Sequence, residues 1–364
     1  MVVFIYSKLG RDKINMYKHG GYVYENKDII DFSANINPFG MPKGVIRAAW
    51  EGVVHSNQYP DPYCTSLRCA ISRDRNIPEN FILCGNGAAD LIFSLALALK
   101  PRKALIAIPT FYEYEQALKT VGCEIAYFVM EEEQEFSLQE VFLTKIEKDL
   151  DIIFLCNPNN PTGNIIKKSF LQRVIQECEK KDIWLIVDEC FMDFVEDGAK
   201  DSVMDEIITS SRLFVLKAFT KLYAMPGLRL GYGISSNLEL MKCVKEVLQP
   251  WNVSLPAQRA GVAALKEKEY VDESLKMIRK EKKYLIEELH NMKIKTYGSH
   301  ANYIFFQANS GLYEACLRRG FMIRDCSNYP GLRDGFYRIA VKRQEDNEAL
   351  MKALKEVVEW QNQL

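Results

Sequence analysis

Histidine is scarce in this 364-residue chain, present only as His19, His55, His290 and His300. With no His-Glu-x-x-His segment and no Cys-x-x-Cys pair, the sequence offers no metal-ligand set, and no metal centre is expected. An excess of charge is also missing: 47 Lys plus Arg against 48 Asp plus Glu leaves a net −1, with no run of five or six like charges. That balance provides no whole-molecule field for nucleic acid or an anionic membrane, so neither is expected as a partner. Any bound anion must be held by local charges. Long apolar runs are lacking as well. The longest, Leu91 to Leu99, contains Ser94 and stops at Lys100, well short of the roughly 18 residues of a membrane span. The opening Met1-Val2-Val3-Phe4-Ile5-Tyr6 is too short for a signal sequence and soon meets Lys8, Arg11 and Lys13, so a cytoplasmic protein is expected. The ten cysteines are scattered from Cys64 to Cys326, which fits buried reduced thiols better than a disulfide framework.

No internal repeat, low-complexity stretch or Pro/Gly/Ser-rich linker interrupts the chain, so its organisation must be read from element patterns. The length suggests two domains, or one large domain with a smaller one attached. Between Asn80 and Ser235 short apolar runs alternate with helical patterns. The expected strands are Phe81 to Cys84, Ala104 to Ile108, Glu124 to Met130, Ile152 to Cys156, Trp184 to Val187, Leu213 to Leu216 and Leu228 to Ile234. Several are almost wholly apolar, as strands covered on both faces by crossover helices should be. The expected fold is α/β, a three-layer large domain on a mostly parallel seven-stranded sheet with a smaller α+β domain. The large domain is expected over 43–255 and the small one over 256–364, with 1–42 as an arm contributing to the small domain and the substrate site. After Pro256 come a charged helix, Glu267 to Met292, strands at Ile294 to Tyr297, Asn302 to Phe306 and Phe336 to Val341, and a terminal helix from Gln344.

Ligands of open α/β sheets lie beyond the carboxyl ends of the strands, and four turns there carry unusual residues. Gly85-Asn86-Gly87-Ala88-Ala89-Asp90 leads into a helix, and its small residues let backbone N–H groups approach a phosphate. It has neither the Gly-Lys-Ser/Thr of a P-loop nor the third Gly of a dinucleotide fingerprint, so a plain tight turn competes with that reading. Asn157-Pro158-Asn159-Asn160-Pro161-Thr162-Gly163 is a rigid turn whose amides can face a ligand. Asp188 ends an apolar strand and needs a cation, either a structural Arg or a cationic ring nitrogen. Lys221, in an apolar turn with Arg229 eight residues on, is a candidate Schiff-base nucleophile, because desolvation lowers an amine's pKa.

Taken together, the Asn-Pro-Thr-Gly turn, the strand-end Asp and the Thr-Lys followed by Gly-Leu-Arg resemble the fold-type-I pyridoxal-phosphate enzymes of the class I/II aminotransferase group. The resemblance runs over almost the whole chain in the family's order. It implies pyridoxal 5'-phosphate as cofactor, bound covalently by Lys221, with Asp188 on the pyridinium nitrogen, Asn160 on the ring 3-hydroxyl and Phe111 stacked on the ring. Gly87, Ala88, Ala89, Thr220 and Arg229 would hold the cofactor phosphate. Tyr59 would reach the phosphate of a neighbouring subunit, which implies a homodimer with its sites at the interface.

Two subgroups are most similar, both acting on small phosphorylated amino compounds: histidinol-phosphate aminotransferases and the L-threonine-O-3-phosphate decarboxylases of cobalamin biosynthesis. His19-Gly20-Gly21, the segment Asp31 to Pro38, and Arg324-Asp325-Cys326-Ser327-Asn328-Tyr329-Pro330-Gly331-Leu332 favour the decarboxylases. The substrate contacts so implied are His19, Gly20, Asn35, Asn160, Arg324 and Arg338. His19 is also readable as a surface residue before a Gly-Gly turn. Arg338 interrupts an apolar strand, which calls for a buried anionic partner. Phe191 stands where aminotransferases of this type commonly carry Tyr, and Ala218 where a phosphate-binding Ser or Thr is usual. The activity implied is decarboxylation of threonine phosphate or serine phosphate, with amine transfer as the alternative and a non-catalytic cofactor-binding module as the least favoured reading.

Overall fold

The computed structural model describes residues 19–23 and 28–361, so the apolar run at Met1 to Tyr6 lies outside the described residues. The strands are β1 (Ile30–Asp31), β2 (Ile82–Gly85), β3 (Lys103–Ile108), β4 (Glu124–Val129), β5 (Ile152–Cys156), β6 (Trp184–Asp188), β7 (Leu213–Ala218), β8 (Gly231–Ile234), β9 (Lys295–Tyr297), β10 (Tyr303–Gln307), β11 (Phe321–Met322), β12 (Arg324–Asp325) and β13 (Phe336–Ala340). The α-helices are α1 (Lys43–Val54), α2 (Thr65–Arg75), α3 (Ala88–Leu99), α4 (Glu113–Thr120), α5 (Lys168–Lys181), α6 (Leu238–Val247), α7 (Leu255–Ala264), α8 (Lys268–Asn291), α9 (Leu312–Leu317) and α10 (Gln344–Gln361).

Seven strands form one sheet in the order β2-β8-β7-β6-β5-β3-β4. Its ladders are parallel except where β8 runs antiparallel to both β7 and β2. This is the mostly parallel α/β sheet that the sequence predicts. Its central strands are buried on both faces, and their period of two divides the core into two layers. Ile153, Leu155, Leu185, Val187 and Val215 pack on one side. Ile152, Phe154, Ile186, Phe214 and Leu216 pack on the other. At the edge, β4 alternates between exposed and half-buried residues. Most predicted boundaries shift by a residue, but one differs for a physical reason. The strand expected from Leu228 begins only at Gly231, because Pro226–Leu228 forms a 3₁₀ turn and Arg229 adopts φ +57°.

A second sheet, β12-β13-β10-β9, packs with α8, and α10 packs in turn on α8 and α9. The α8 stripe of Ser274, Ile278, Glu281, Leu285 and Leu289 has the three-to-four spacing of a helix face turned inward. The N-terminal β1 pairs in parallel with β11, so the segment carrying residues 30–37 lies against this second sheet. All ten cysteines are free, and among the described residues no helix is long and apolar enough to cross a membrane.

Beneath the carboxyl ends of β6 and β7 lies a closed ionic network. Lys217 Nζ, almost fully buried, is 3.0 Å from Glu189 and 3.3 Å from Asp193, and Arg75 grips Asp193 through both terminal nitrogens. Ser202 and the Val203 N–H complete the shell of Glu189. Removing one partner strands a buried charge, so Lys217→Met should destabilise the protein by about 3–5 kcal/mol, read as a lower urea midpoint.

Candidate active site

The parallel register aligns Cys156 with Asp188 and Asp188 with Leu216, so the turns after β5, β6 and β7 open on one side of the sheet. They meet the β12–β13 edge, His19 and Gly20, and residues 33–35 around a cavity of about 280 Å³. Thirteen residues predicted from the sequence line it: Lys221, Asp188, Asn160, Phe111, Thr220, Arg229, Ala88 and Ala89, with His19, Gly20, Asn35, Arg324 and Arg338. Gly87 lies just beneath. Its φ of +86° is a conformation that residues with a side chain rarely adopt, and Arg229 Nη2 lies 2.5 Å from where a Cβ would stand. Tyr59 is elsewhere: it is 79% exposed and stacks on Trp251 at 4.4 Å.

Asp188 is buried at the end of β6. Its Oδ2 accepts a 2.6 Å hydrogen bond from the Tyr114 hydroxyl and its Oδ1 accepts from the Cys190 N–H. Burial first, and then the Asp188 charge, push the Tyr114 hydroxyl well above its usual range, so it stays a donor. No cation among the described residues forms an ion pair with Asp188; the neighbouring Glu189 takes the structural one, Lys217.

Lys221 follows β7 in the apolar turn. Burial, reinforced by the Arg338 charge, lowers its pKa to about 8. Its Nζ stands 6.0 Å from the centre of the Phe191 ring, which carries no hydroxyl. Across the cavity, Gly87 caps α3 without a side-chain hydrogen bond, leaving the first N–H groups of the helix free for an anion. Arg229 stands over that helix end. Ala218 offers only a methyl, so Thr220 supplies the hydroxyl on this wall.

Of the three asparagines in the turn after β5, one faces the cavity. Asn157 bonds Ile166 backbone atoms, and Asn159 is fixed by Thr110, Pro109 and Thr162. Asn160 instead accepts from Arg338 Nη1. The Gly20-Gly21 turn also has a reason. A Cβ on Gly20 would collide with the Ser33 carbonyl, and Gly21 donates to Ser33 Oγ at 2.7 Å, which brings His19 to the cavity mouth.

Arg324 and Arg338 stand directly opposite each other on antiparallel β12 and β13. Both are more than nine-tenths buried. Arg324 donates to the Asp325 carbonyl and to Asn328 Oδ1, and lies over Tyr329. Arg338 donates to Asn160 and to the Ser33 carbonyl, while its Nε is without a partner. No carboxylate among the described residues forms an ion pair with either guanidinium, so the buried anion expected for Arg338 is not found among them. Sequence reasoning missed Tyr114, Glu113, Asn328 and Tyr329, which sit in or behind this cavity. The aromatic pair Phe111 and Tyr114, three residues apart on the way into α4, was an available signal.

The lowered amine of Lys221 gives a direct test. A small aldehyde should react with it in proportion to its neutral fraction, with an inflection near pH 8, and Arg338→Met should move that inflection upward.

A model of the aminotransferase class I and II family matches residues 27–354. The chain is 36% identical to the threonine-phosphate decarboxylase of Salmonella typhimurium, covering 93% of this chain and 96% of that protein. It is 30% identical to the histidinol-phosphate aminotransferase of Methanococcus aeolicus, over 91% and 90%. Among solved structures it is similar to the histidinol-phosphate aminotransferase from Clostridium acetobutylicum, with a TM-score of 0.84, 34% identity, and coverage of 90% of this chain and 98% of that one. A family model over most of the chain, matched by fold and by whole-length relatives, establishes that this chain belongs to the class I and II aminotransferase family.

Proposed function

We propose that the chain is a pyridoxal 5'-phosphate-dependent carboxy-lyase acting on a phosphorylated amino acid, converting L-threonine O-3-phosphate to (R)-1-amino-2-propanol O-2-phosphate, a step of cobalamin biosynthesis. The observation that carries this reading is the buried, directly opposed pair Arg324 and Arg338. Like charges facing each other across a ladder repel, and among the described residues no carboxylate forms an ion pair with either of them. A substrate with both a phosphate and a carboxylate does.

The cavity also fits the cofactor. Asp188 is a buried carboxylate without a cation and suits the ring nitrogen, while the uncapped end of α3 with Thr220 and Arg229 suits the phosphate. Phe111 would stack on the ring, Asn160 would meet its hydroxyl and Lys221 would bind it covalently. When bound, the cofactor supplies the electron sink for the bond broken at Cα. The remaining work falls to side chains. Asp188 holds positive charge at the ring nitrogen. Arg324, with His19, Gly20 and Asn35 around it, grips the phosphate, and Arg338 orients the carboxylate so that the bond to CO2 is the one that breaks. Loss of CO2 leaves an electron pair at Cα, and Lys221 Nζ delivers the proton that replaces it.

The alternative is amine transfer, as in the histidinol-phosphate aminotransferases that the chain also resembles. Phe191, with no hydroxyl toward the ring oxygen, supports decarboxylation. Discrimination between threonine phosphate and serine phosphate rests on one methyl group, about 1–3 kcal/mol. We further propose a homodimer. Ile46, Trp50, Val53 and Val54 form an exposed apolar face on α1, and Tyr59, Tyr63 and Trp251 add exposed aromatics; a second copy would cover them and receive Tyr59 at its own site.

Purified holoenzyme given threonine phosphate should release CO2 without any 2-oxo acid, and Lys221→Ala should slow release by about 10²–10⁴-fold or more. Amine transfer dependent on a 2-oxo acid, without CO2, would sink the proposal.

A further inference from the structure

Glu113 opens α4 and lines the cavity, yet the reaction just described gives it no task. Its side chain is only 16% exposed, and its Oε2 is buried without a hydrogen-bond partner. His19 Nδ1 lies 3.7 Å from Oε1, too far for a hydrogen bond. Around it stand His19 from the N-terminal segment, Lys221 after β7, Asp188 at the end of β6, Arg324 on β12 and Tyr329 beyond it. On its own helix Glu115 is occupied by Lys119. An acid therefore lines the cavity beside the cationic Lys221 and Arg324, with its Oε2 enclosed by protein and its Oε1 on the His19 side.

We propose that Glu113 contacts the substrate's phosphate as a neutral carboxylic acid, its carboxyl group donating a hydrogen bond where a carboxylate would repel. The contact rests on the reading of the substrate as a phosphate ester and adds a binding group to it. Glu113 is suited to the role because its pKa is raised to about 7, chiefly by burial and further by Asp188, against the opposing charges of Lys221 and Arg324. Below that pH the acid is present and donates; above it the carboxylate forms and opposes a dianion. Bound dianion in turn favours the acid, so Glu113 takes up a proton from solvent as the ligand binds. Burial and Arg324 lower the pKa of His19 below its usual 6.5, so its titration does not produce a slope above neutrality.

Sulfate is the probe, because it is dianionic throughout the range and adds no titration of its own. Calorimetric Kd values on the holoenzyme should weaken about tenfold or more between about pH 6.5 and 8.5. Glu113→Gln, whose amide still donates, should bind sulfate about as tightly as the parent at the low end and lose most of the slope. Glu113→Ala should bind several-fold more weakly at the low end. The same slope in the Gln variant, or unchanged binding in the Ala variant, overturns the contact. Turnover is a separate readout. A protein that shows this slope but releases no CO2 from threonine phosphate refutes the reaction and keeps the anion contact; CO2 release with an unaltered slope in the Gln variant refutes the contact alone.

Discussion

Two arginines that face each other across a β-ladder, buried and without an ion-pair partner among the described residues, are the constraint around which this molecule is arranged. Arg338 lies in the middle of β13, where its neighbours Tyr337 and Ile339 are core residues. Holding its guanidinium there occupies the Asn160 amide and the Ser33 carbonyl. Ser33 in turn requires Gly20 and Gly21 to pack closely, which delivers His19 to the cavity. The turn after β5, the N-terminal segment and the second sheet are thus joined through one unneutralised charge. Such an arrangement is costly in an empty cavity and favourable around an anion, which is why it reads as a binding device more than as a stabilising one.

Adjacent residues divide the work between structure and chemistry. Asp188 and Glu189 are neighbours, but Asp188 faces the cavity and Glu189 is closed off by Lys217, Ser202 and the Val203 N–H. The two lysines of the next turn separate in the same way: Lys217 is locked between acids, while Lys221, four residues on, is left in an apolar setting that depresses its pKa. The ionic network therefore fixes the ends of β6 and β7, and the groups left outside it keep the charge states that chemistry requires.

The alternation of apolar runs made the central sheet legible, because strands buried on both faces must be apolar throughout, and β5 and β6 match their expected spans within a residue. Lys221, Asp188 and Arg338 were legible for another reason: each is a charged residue at a strand end or inside an apolar segment, whereas the roles of Asn160 and Arg324 came from the family resemblance. Tyr114 and Glu113 were not, since a tyrosine and a glutamate entering an amphipathic helix look like ordinary surface residues. Only the packing of α4 beside β3, β4 and α3 turns one into the partner of Asp188 and the other into a buried acid.

The sequence by itself determined the α/β architecture, the order of the site residues and the family, because periodicity and short motifs are local properties of the chain. Which of three asparagines faces the cavity, which of two adjacent acids carries the free charge, and that Arg324 and Arg338 confront each other were decided by the tertiary structure alone. Those outcomes depend on register and on contacts between segments up to 305 residues apart, such as Arg338 with Ser33. No local pattern encodes them, because burial and partner are properties of the assembled fold.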